Sequence, residues 1–273
     1  INKNIKNNKI LRNLETATLL IFAVSLVMIV IFAEHIAPFN PFTGNLKEAF
    51  IPPNSINIFG TDRLGRDIFS RVIYGIRISL VISLLLVFII STTGGFLGIV
   101  SGYIGGFLDK IIMQICNILI SCPSMVLAIA LAGIMGASTI NAMIAIFVVM
   151  ISKYIRLTRS LVLRLKNEEY IKAAKMSGTS NINIIKRHIV PNIFQTIIVT
   201  ASVDIGTIIL ELSALSFLGF GIPAPYPELG YMINDSRPYL LNAPYMIIFP
   251  GLAIFFIVSV CNLISDKIRI WLE

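Results

Sequence analysis

Long apolar runs divide this sequence and leave few folds open to it. Six such runs are present, and most approach the roughly 20 residues that an α-helix needs to cross a bilayer. They cover residues 16–33, 78–100, 111–134, 142–154, 192–218 and 245–264. We expect Pro123 to kink or divide the third run, residues 101–110 to form a short turn, and Gly94, Gly95 and Gly98 to permit close helix packing in the second run. Charged residues make up only 13% of the chain, whereas soluble domains carry about 25%. The pattern predicts an all-α, polytopic membrane protein with six transmembrane helices.

Positive charge is concentrated between the fourth and fifth runs. Residues 153–191 hold nine of the 22 basic residues and only two acidic ones, Glu168 and Glu169. The nine are Lys153, Arg156, Arg159, Arg164, Lys166, Lys172, Lys175, Lys186 and Arg187. Basic loops between membrane spans stay on the cytosolic side. We therefore expect this segment and both termini in the cytosol, and topology and anionic lipid explain the net charge of +8 better than nucleic acid does.

The basic segment has the pattern of two short helices that meet at a glycine. Gly178 suits the position after a helix end, Thr179 or Ser180 suits the next N-cap, and Pro191 suits a first helical turn. Isoleucines three and four residues apart are expected on one helical face. They are Ile182, Ile185 and Ile189.

This segment resembles a known loop. Lys172-Ala173-Ala174, Gly178 and Val190-Pro191 resemble the EAA loop of binding-protein-dependent ABC importer permeases, here within residues 160–191. The resemblance implies a coupling helix that docks on an ATPase subunit. Lys172 stands where that family usually has glutamate, so no role of that glutamate carries over. The implied contact residues are Lys172, Ala173, Ala174, Gly178, Ile182, Ile185 and Pro191.

A second motif precedes the second apolar run. Thr61 or Asp62 is expected to cap a short amphipathic helix at the outer interface, with an apolar face formed by Leu64, Ile68, Phe69 and Val72. The same stretch resembles a signature of the dipeptide, oligopeptide and nickel permeases. The signature residues carried over are Gly60, Thr61, Asp62, Gly65, Arg66 and Asp67. We divide the chain into an N-terminal part, residues 1–76, and a five-helix permease core, residues 77–273.

Two later stretches extend the resemblance over most of the chain. Residues 215–221 are similar to the end of the family's fifth helix, and residues 249–253 to the start of its sixth. The resemblance implies a type I ABC importer bundle that pairs with a second, related permease, two ATPase subunits and an external substrate-binding protein. No GxxxxGK[ST] motif occurs in the sequence. ATP and Mg²⁺ are therefore assigned to the ATPase subunits, and no cofactor, metal or catalytic residue to this chain.

Two carboxylates lie inside the fifth apolar run. Asp204 and Glu211 are seven residues apart and share a helix face. Charges inside a membrane usually face the bundle interior or a wet path. The pair is therefore interpreted either as the acidic lining of a translocation path or as partners in interhelical hydrogen bonds.

The solute stays open at this point. Asp204-Ile205-Gly206 and residues 232–235 resemble the nickel permeases more than typical peptide permeases, which favours nickel, free or chelated. Import of dipeptides or oligopeptides by the same machinery is the alternative. A third possibility is an ion-gradient secondary transporter, in which Asp204 and Glu211 would carry protons or cations.

Overall fold

The computed structural model describes the backbone of residues 2–272 and the side chains of residues 19–271. Throughout that range the regular structure is helical, apart from a single bridge between Thr61 and Asp67. The α-helices are α1 (Asn2–Ile36), α2 (Ile68–Ile104), α3 (Gly106–Ile120), α4 (Ser124–Met135), α5 (Thr139–Lys166), α6 (Glu169–Met176), α7 (Asn181–Ile184), α8 (Val190–Phe217), α9 (Leu229–Ser236) and α10 (Tyr245–Leu272). The basic residues before Thr16 lie outside the side chains described.

Five helices are long and apolar enough to cross a membrane, and there are six spans if a bent pair is counted as one. The five are Leu19–Ile36, α2, α5, the continuous stretch Asn181–Phe217, and Tyr245–Trp271. The pair α3 and α4 is bent by 91° at the break before Ser124. Proline cannot donate a helical hydrogen bond and disfavours helix in the residue before it, so the division predicted at Pro123 is confirmed. The predicted all-α, six-span fold is confirmed as well.

The second span is longer than expected at both ends. The apolar run 78–100 is only the middle of α2, which has 37 residues. At its far end, the turn expected over residues 101–110 is reduced to Gly105, because α3 begins at Gly106. The division of the chain between residues 76 and 77 falls inside α2.

The amphipathic helix expected to begin at Thr61 or Asp62 is absent, and that prediction is wrong. Helix α2 begins at Ile68, and its N-cap is Asp67, whose carboxylate accepts from the Ser70 backbone N–H at 2.7 Å. Residues 60–67, the signature loop, instead fold back on themselves. The Asp62 carboxylate closes this loop instead, because it accepts from the backbone N–H groups of Leu64 and Arg66.

Glycines allow α2 and α5 to approach closely along their length. Gly94, Gly98 and Gly102 recur every fourth residue on α2 and face α5. A Cβ atom placed on Gly98 would lie 2.6 Å from Cβ of Thr158 and 2.7 Å from the carbonyl oxygen of Ile155. Small residues at this spacing are typical of membrane helices packed backbone to backbone. The close packing predicted at these glycines is confirmed for Gly94 and Gly98.

The core contains three apolar clusters of buried side chains. One lies near the signature loop and joins α1, α2, α9 and α10. The second occupies the middle and joins α2, α4, α5 and α8. The third attaches residues 167–189, the interhelical loop, to the rest of the bundle. The two ends of the bundle are called the signature end and the loop end from here on.

Candidate functional site

The interhelical loop contains the predicted pair of short helices joined at a glycine. Helix α6 ends in a Schellman motif, in which the Thr179 N–H donates to the Ala174 carbonyl and the Gly178 N–H donates to the Lys175 carbonyl, both at 3.1 Å. Gly178 has a φ of +80°, which favours glycine at that position. The Ser180 hydroxyl then accepts from the Asn183 N–H and caps α7. Lys172 and Ala173 are exposed on α6, and Ala174 is half-buried.

Helix α7 continues into α8 without a break. The connecting residues, Ile185–Ile189, form one turn of π-helix, and the Val190 N–H donates to the Ile185 carbonyl. Pro191 occupies the first turn of α8, as predicted. Because proline has no N–H and its ring crowds the preceding turn, the wider π-turn lets the helix continue past it.

One side of the interhelical loop is anchored in the bundle. Ile171, Ile184 and Ile189 are almost fully buried and pack with Val162 of α5 and Ile193 of α8. This apolar cluster fixes the loop to both helices that it connects. Any displacement of the loop therefore acts directly on α5 and α8.

The common face predicted for the three isoleucines is wrong. Ile182 is 64% exposed, whereas Ile189 is fully buried and Ile185 is half-buried. The spacing argument assumed 3.6 residues per turn throughout. A π-turn takes up more residues per turn, so residues after it no longer align with those before it.

The other side of the loop exposes a different apolar set. Met176 is 89% exposed and Tyr170 is 44% exposed, and both lie on α6 with the exposed Ala173 between them at intervals of three. With Ile182 they are the large apolar side chains that the interhelical loop exposes, on an element rich in lysine and arginine. The helical spacing of Tyr170, Ala173 and Met176 was visible in the sequence, although the sequence analysis did not use it.

Polar contacts also join the interhelical loop to α2, and α5 to both α2 and α3. The Tyr103 hydroxyl, near the end of α2, donates to the Asn181 side-chain carbonyl at 2.9 Å. Lys166, at the end of α5, donates to the Tyr103 carbonyl at 2.7 Å. Arg159 of α5 forms a bidentate ion pair with Asp109 of α3. The loop end is therefore a connected unit of four helices.

Asp204 forms an interhelical ion pair in the middle of the bundle. Its two carboxylate oxygens accept from the Lys153 ammonium at 2.6 and 2.9 Å, and one of them accepts from the Tyr154 hydroxyl at 2.8 Å. The Asp204 side chain is only 2% exposed, whereas that of Lys153 is 50% exposed. Of the two interpretations of Asp204, the interhelical contact is the one the structure shows. Lys153 lies 51 residues earlier in the chain, and no local sequence signal connects the two.

Glu211 lies two turns further along α8 and is left without a comparable partner. Among the residues whose side chains are described, none donates a hydrogen bond to its buried Oε2 atom. Asp204 and Lys153 are near enough to act on it electrostatically. The structure therefore brings these three charged groups together around one face of α8.

At the signature end, Asp62 is buried between two arginines. Its Oδ2 atom lies 2.6 Å from Nε of Arg66 and 3.6 Å from Nε of Arg71. The Arg71 guanidinium also donates to the Pro41 carbonyl at 2.8 Å. The carboxylate thus holds the signature loop, the start of α2 and the preceding irregular segment in one network.

The remaining signature residues close the same loop. The Thr61 hydroxyl accepts from the Ile51 N–H at 2.9 Å, and the Thr61 N–H donates to the Ile51 carbonyl. Gly60 and Gly65 have positive φ values of 77° and 70°. The signature is therefore a compact structural loop, in which Asp67 caps the helix that follows.

Helix α9 is tied to the signature loop by charge. The Arg63 Nε atom lies 3.0 Å from each oxygen of Asp235, and this hydrogen bond raises the pKa of Arg63. Asp235 is the last residue of the 232–235 motif, so its carboxylate serves a structural contact. Glu228 caps α9 by accepting from the Tyr231 N–H at 2.8 Å, and burial raises the pKa of this wholly buried carboxyl. Neither Arg63 nor Glu228 was predicted from the sequence as a contact residue.

Comparison with known proteins agrees with these features. The family described as binding-protein-dependent transport system inner membrane component matches residues 94–273. The dipeptide transport system permease protein DppC of Alkalihalophilus pseudofirmus is 41% identical over 98% of this chain and 86% of its own length. The probable D,D-dipeptide transport system permease protein DdpC of Escherichia coli is 40% identical, over 93% and 85%. The glutathione transport system permease protein GsiD of Pectobacterium atrosepticum is 39% identical, over 91% and 83%.

A solved structure has the same fold. The MetNI methionine ABC transporter, in an inward-facing conformation, superposes with a TM-score of 0.55 at 16% identity, over 71% of this chain and 94% of the other. At that identity the likeness concerns the fold alone. Together with the family match and the close relatives, it shows that this chain belongs to the binding-protein-dependent inner membrane components, as a multi-pass permease subunit of an ABC importer of the dipeptide, oligopeptide and nickel group.

Proposed function

We propose that this permease imports small peptides. The observation that carries the proposal is the set of relatives at 39–41% identity, whose names specify dipeptides, D,D-dipeptides and glutathione. None of these names supports nickel. The carboxylates of the two motifs that favoured nickel form ion pairs within the chain, Asp204 with Lys153 and Asp235 with Arg63.

The interhelical loop is the contact for the ATPase subunits in this proposal. Its exposed apolar side, formed by Tyr170, Met176 and Ile182, is surrounded by lysine and arginine, and its opposite side is anchored to α5 and α8. Exposed apolar patches on an anchored element are typical of protein interfaces. Two ATPases that bind ATP and Mg²⁺ would move the loops of this chain and of a second, related permease together.

The remaining parts of the proposal concern orientation and delivery. The basic interhelical loop and both termini lie in the cytosol by the positive-inside rule. The signature end then faces outward, toward an external substrate-binding protein that delivers the solute. The bundle alternates between inward-facing and outward-facing states, and this chain contributes the path and not the hydrolysis.

Uptake of labelled solute tests the proposed substrate. Cells that lack this chain are compared with cells that carry it, using radiolabelled dialanine and radiolabelled nickel in parallel. We expect the chain to restore dialanine uptake and to leave nickel uptake unchanged. Restoration of nickel uptake alone would reverse the assignment.

An energy-source experiment separates ATP-driven import from an ion-gradient transporter. In proteoliposomes that contain the full complex, uptake should follow the supply of ATP and continue when an uncoupler collapses the proton gradient. Ile182→Asp should abolish uptake and retention of the ATPase subunits during purification, because it places a charge on the apolar contact. Asn183→Asp, at an exposed neighbouring position, is the matched control and should retain both. Uptake lost with the uncoupler at constant ATP would contradict the proposal.

A further inference from the structure

Lys153 has a hydrogen-bond donor that no described residue uses. A lysine ammonium carries three N–H groups, and two of them point to the two oxygens of Asp204. Half of the Lys153 side chain is exposed, whereas the Asp204 carboxylate is almost completely covered. Whatever approaches this pair therefore meets the ammonium and not the carboxylate.

Glu211 presents the complementary feature, an acceptor without a donor. Its Oε2 atom is buried and receives no hydrogen bond from any side chain or backbone group that the structure describes. A buried carboxylate oxygen without a partner is costly. A donor from outside the described residues, such as water, a partner subunit or a solute, would satisfy this atom.

The two unused groups belong to one polar stripe. Thr200, Asp204, Thr207 and Glu211 recur along α8 at intervals of four, three and four residues, which places them on one helix face. Lys153 joins this stripe from α5 through its ion pair. A lysine and a glutamate at this depth do not face lipid, so the stripe faces the bundle interior or a wet path.

The spacing of the stripe matches a short peptide. Seven residues of α-helix separate Asp204 from Glu211, or about 10 Å at 1.5 Å per residue. An extended chain advances about 3.3–3.6 Å per residue, so two or three residues cover most of that distance. The stripe thus offers a donor on its loop-end side and an acceptor on its signature-end side, and the two positions on α8 are separated by about the length of a two- or three-residue peptide.

We propose that Lys153 and Glu211 bind the two termini of a zwitterionic di- or tripeptide in the translocation path. The peptide carboxylate accepts from the free N–H of Lys153, and the peptide ammonium donates to Glu211. Asp204 is a positioning residue that fixes the place of the Lys153 ammonium. This inference rests on the proposed import of small peptides and adds the groups and the direction of binding, with the carboxyl end toward the loop end.

Binding of end-blocked peptides tests the site. The purified complex of this chain with its second permease and ATPases, without the external binding protein, is placed in nanodiscs. Binding of labelled dialanine, N-acetyl-dialanine and dialanine amide is measured by equilibrium dialysis. Wild type should bind dialanine about tenfold or more tightly than either blocked form, because each block removes a charge-assisted hydrogen bond.

Two variants assign the termini separately. Glu211→Gln should abolish the preference for dialanine over N-acetyl-dialanine and keep the preference over the amide. A double variant, Lys153→Gln with Asp204→Asn, should abolish the preference for dialanine over the amide and keep the preference over N-acetyl-dialanine. The double change is used because Lys153→Gln alone would leave the buried Asp204 carboxylate without its counter-ion. Glu48→Gln, an exposed carboxylate before the signature loop, is the control and should keep both preferences.

Other outcomes would overturn the site. Absence of dialanine binding, equal binding of all three peptides by wild type, or unchanged preferences in the variants would each contradict it. A Glu211 that merely contacts the second permease would weaken all three peptides equally, which also contradicts the proposal. Cellular uptake of labelled dialanine is measured alongside: if wild-type uptake persists while the preferences fail, only this inference falls, and if wild-type uptake is absent, the proposed function falls.

Discussion

Glu228 shows how a single buried carboxyl can make this fold sensitive to pH. It is wholly buried at the signature end, and its Oε2 atom caps α9. Burial raises its pKa. The stability that comes from the protonated form is therefore complete below the unfolded pKa of about 4.3, and it is lost as pH rises through the raised folded value.

Glu228→Gln should remove this pH dependence. The amide oxygen still accepts from the Tyr231 N–H, and the group no longer ionises. We expect the Tm of the purified complex to fall less steeply between mildly acidic and neutral pH than in wild type. Glu228→Ala should lower Tm at every pH, since loss of an N-cap costs about 0.5–2 kcal/mol. Identical slopes for Glu228→Gln and wild type would show that another group titrates.

Gly178 is the residue at which backbone conformation limits substitution most clearly. Its φ is +80°, and a Cβ atom there would have no neighbour within 4 Å. Gly178→Val should therefore impair the complex through strain alone, of about 1–2 kcal/mol, and reduce ATP-driven uptake. Gly178→Asn should retain most uptake, because asparagine tolerates this region. Equal loss with both residues would instead indicate a partner that packs against the glycine.

At the scale of elements, the close contact of α2 with α5 depends on glycines, which have no side chain to separate the two backbones. The backbones meet where Gly94, Gly98 and Gly102 replace larger side chains. These two helices carry Lys153 and the polar contacts of the loop end, so their separation determines where those groups lie.

Two glycines of α2 that lie three residues apart provide a matched test of this contact. Gly98→Val should destabilise the complex by about 1–3 kcal/mol, the usual effect of overpacking, because its side chain would overlap Thr158 and Ile155. Gly95→Val should be tolerated, since a Cβ there meets only Ile197 Cδ1, at 3.7 Å. Thermal unfolding followed by intrinsic fluorescence measures both. A larger loss at position 95 than at position 98 would contradict this packing.

The sequence predicted elements well where the evidence was local. Apolar length identified the spans, Pro123 marked the break between α3 and α4, and Gly178 marked the joint in the interhelical loop. Prediction from the sequence failed where a side chain that was expected to cap a helix forms ion pairs instead. Asp62 was expected to start a helix, but Arg66 and Arg71 hold its carboxylate in another role.

The candidate site was predictable only in part, for the same reason. A carboxylate within an apolar run identified Asp204, but its partner lies on another helix and was assigned to the basic loop. The predicted common face of the isoleucines failed because of the π-turn, which the spacing of apolar residues in the sequence does not reveal. Tyr170 and Met176, by contrast, follow simple helical spacing and were available to the same reasoning.

At the scale of the molecule, ion pairs join the signature loop to the start of α2 and to α9, which is distant in sequence. Asp62 pairs with Arg66 and Arg71, and Arg63 reaches Asp235 on α9. The side chains around Asp62 are almost completely buried, whereas the Arg63 side chain is 38% exposed. The two ion pairs should therefore differ greatly in their effect on stability.

Alanine substitutions should reveal this difference. Asp62→Ala leaves two buried guanidiniums without their carboxylate and should cost about 3–5 kcal/mol, whereas Arg63→Ala should cost at most about 1 kcal/mol. Limited proteolysis of residues 37–67 and the Tm of the complex report both. A small effect at Asp62 would mean that water or another acceptor replaces the carboxylate.

The π-turn before Pro191 has a consequence for how force is transmitted. Because α7 and α8 are continuous, Asn181–Phe217 forms a single rod of 37 residues, about 55 Å long at 1.5 Å per residue. Ile182 lies at one end of this rod, and Asp204 and Glu211 lie well along it. If an ATPase subunit binds at Ile182, as proposed, its movement tilts the two carboxylates as well, unless the rod bends at the π-turn. The stiffness of those five residues then determines how much of that movement reaches the centre of the membrane.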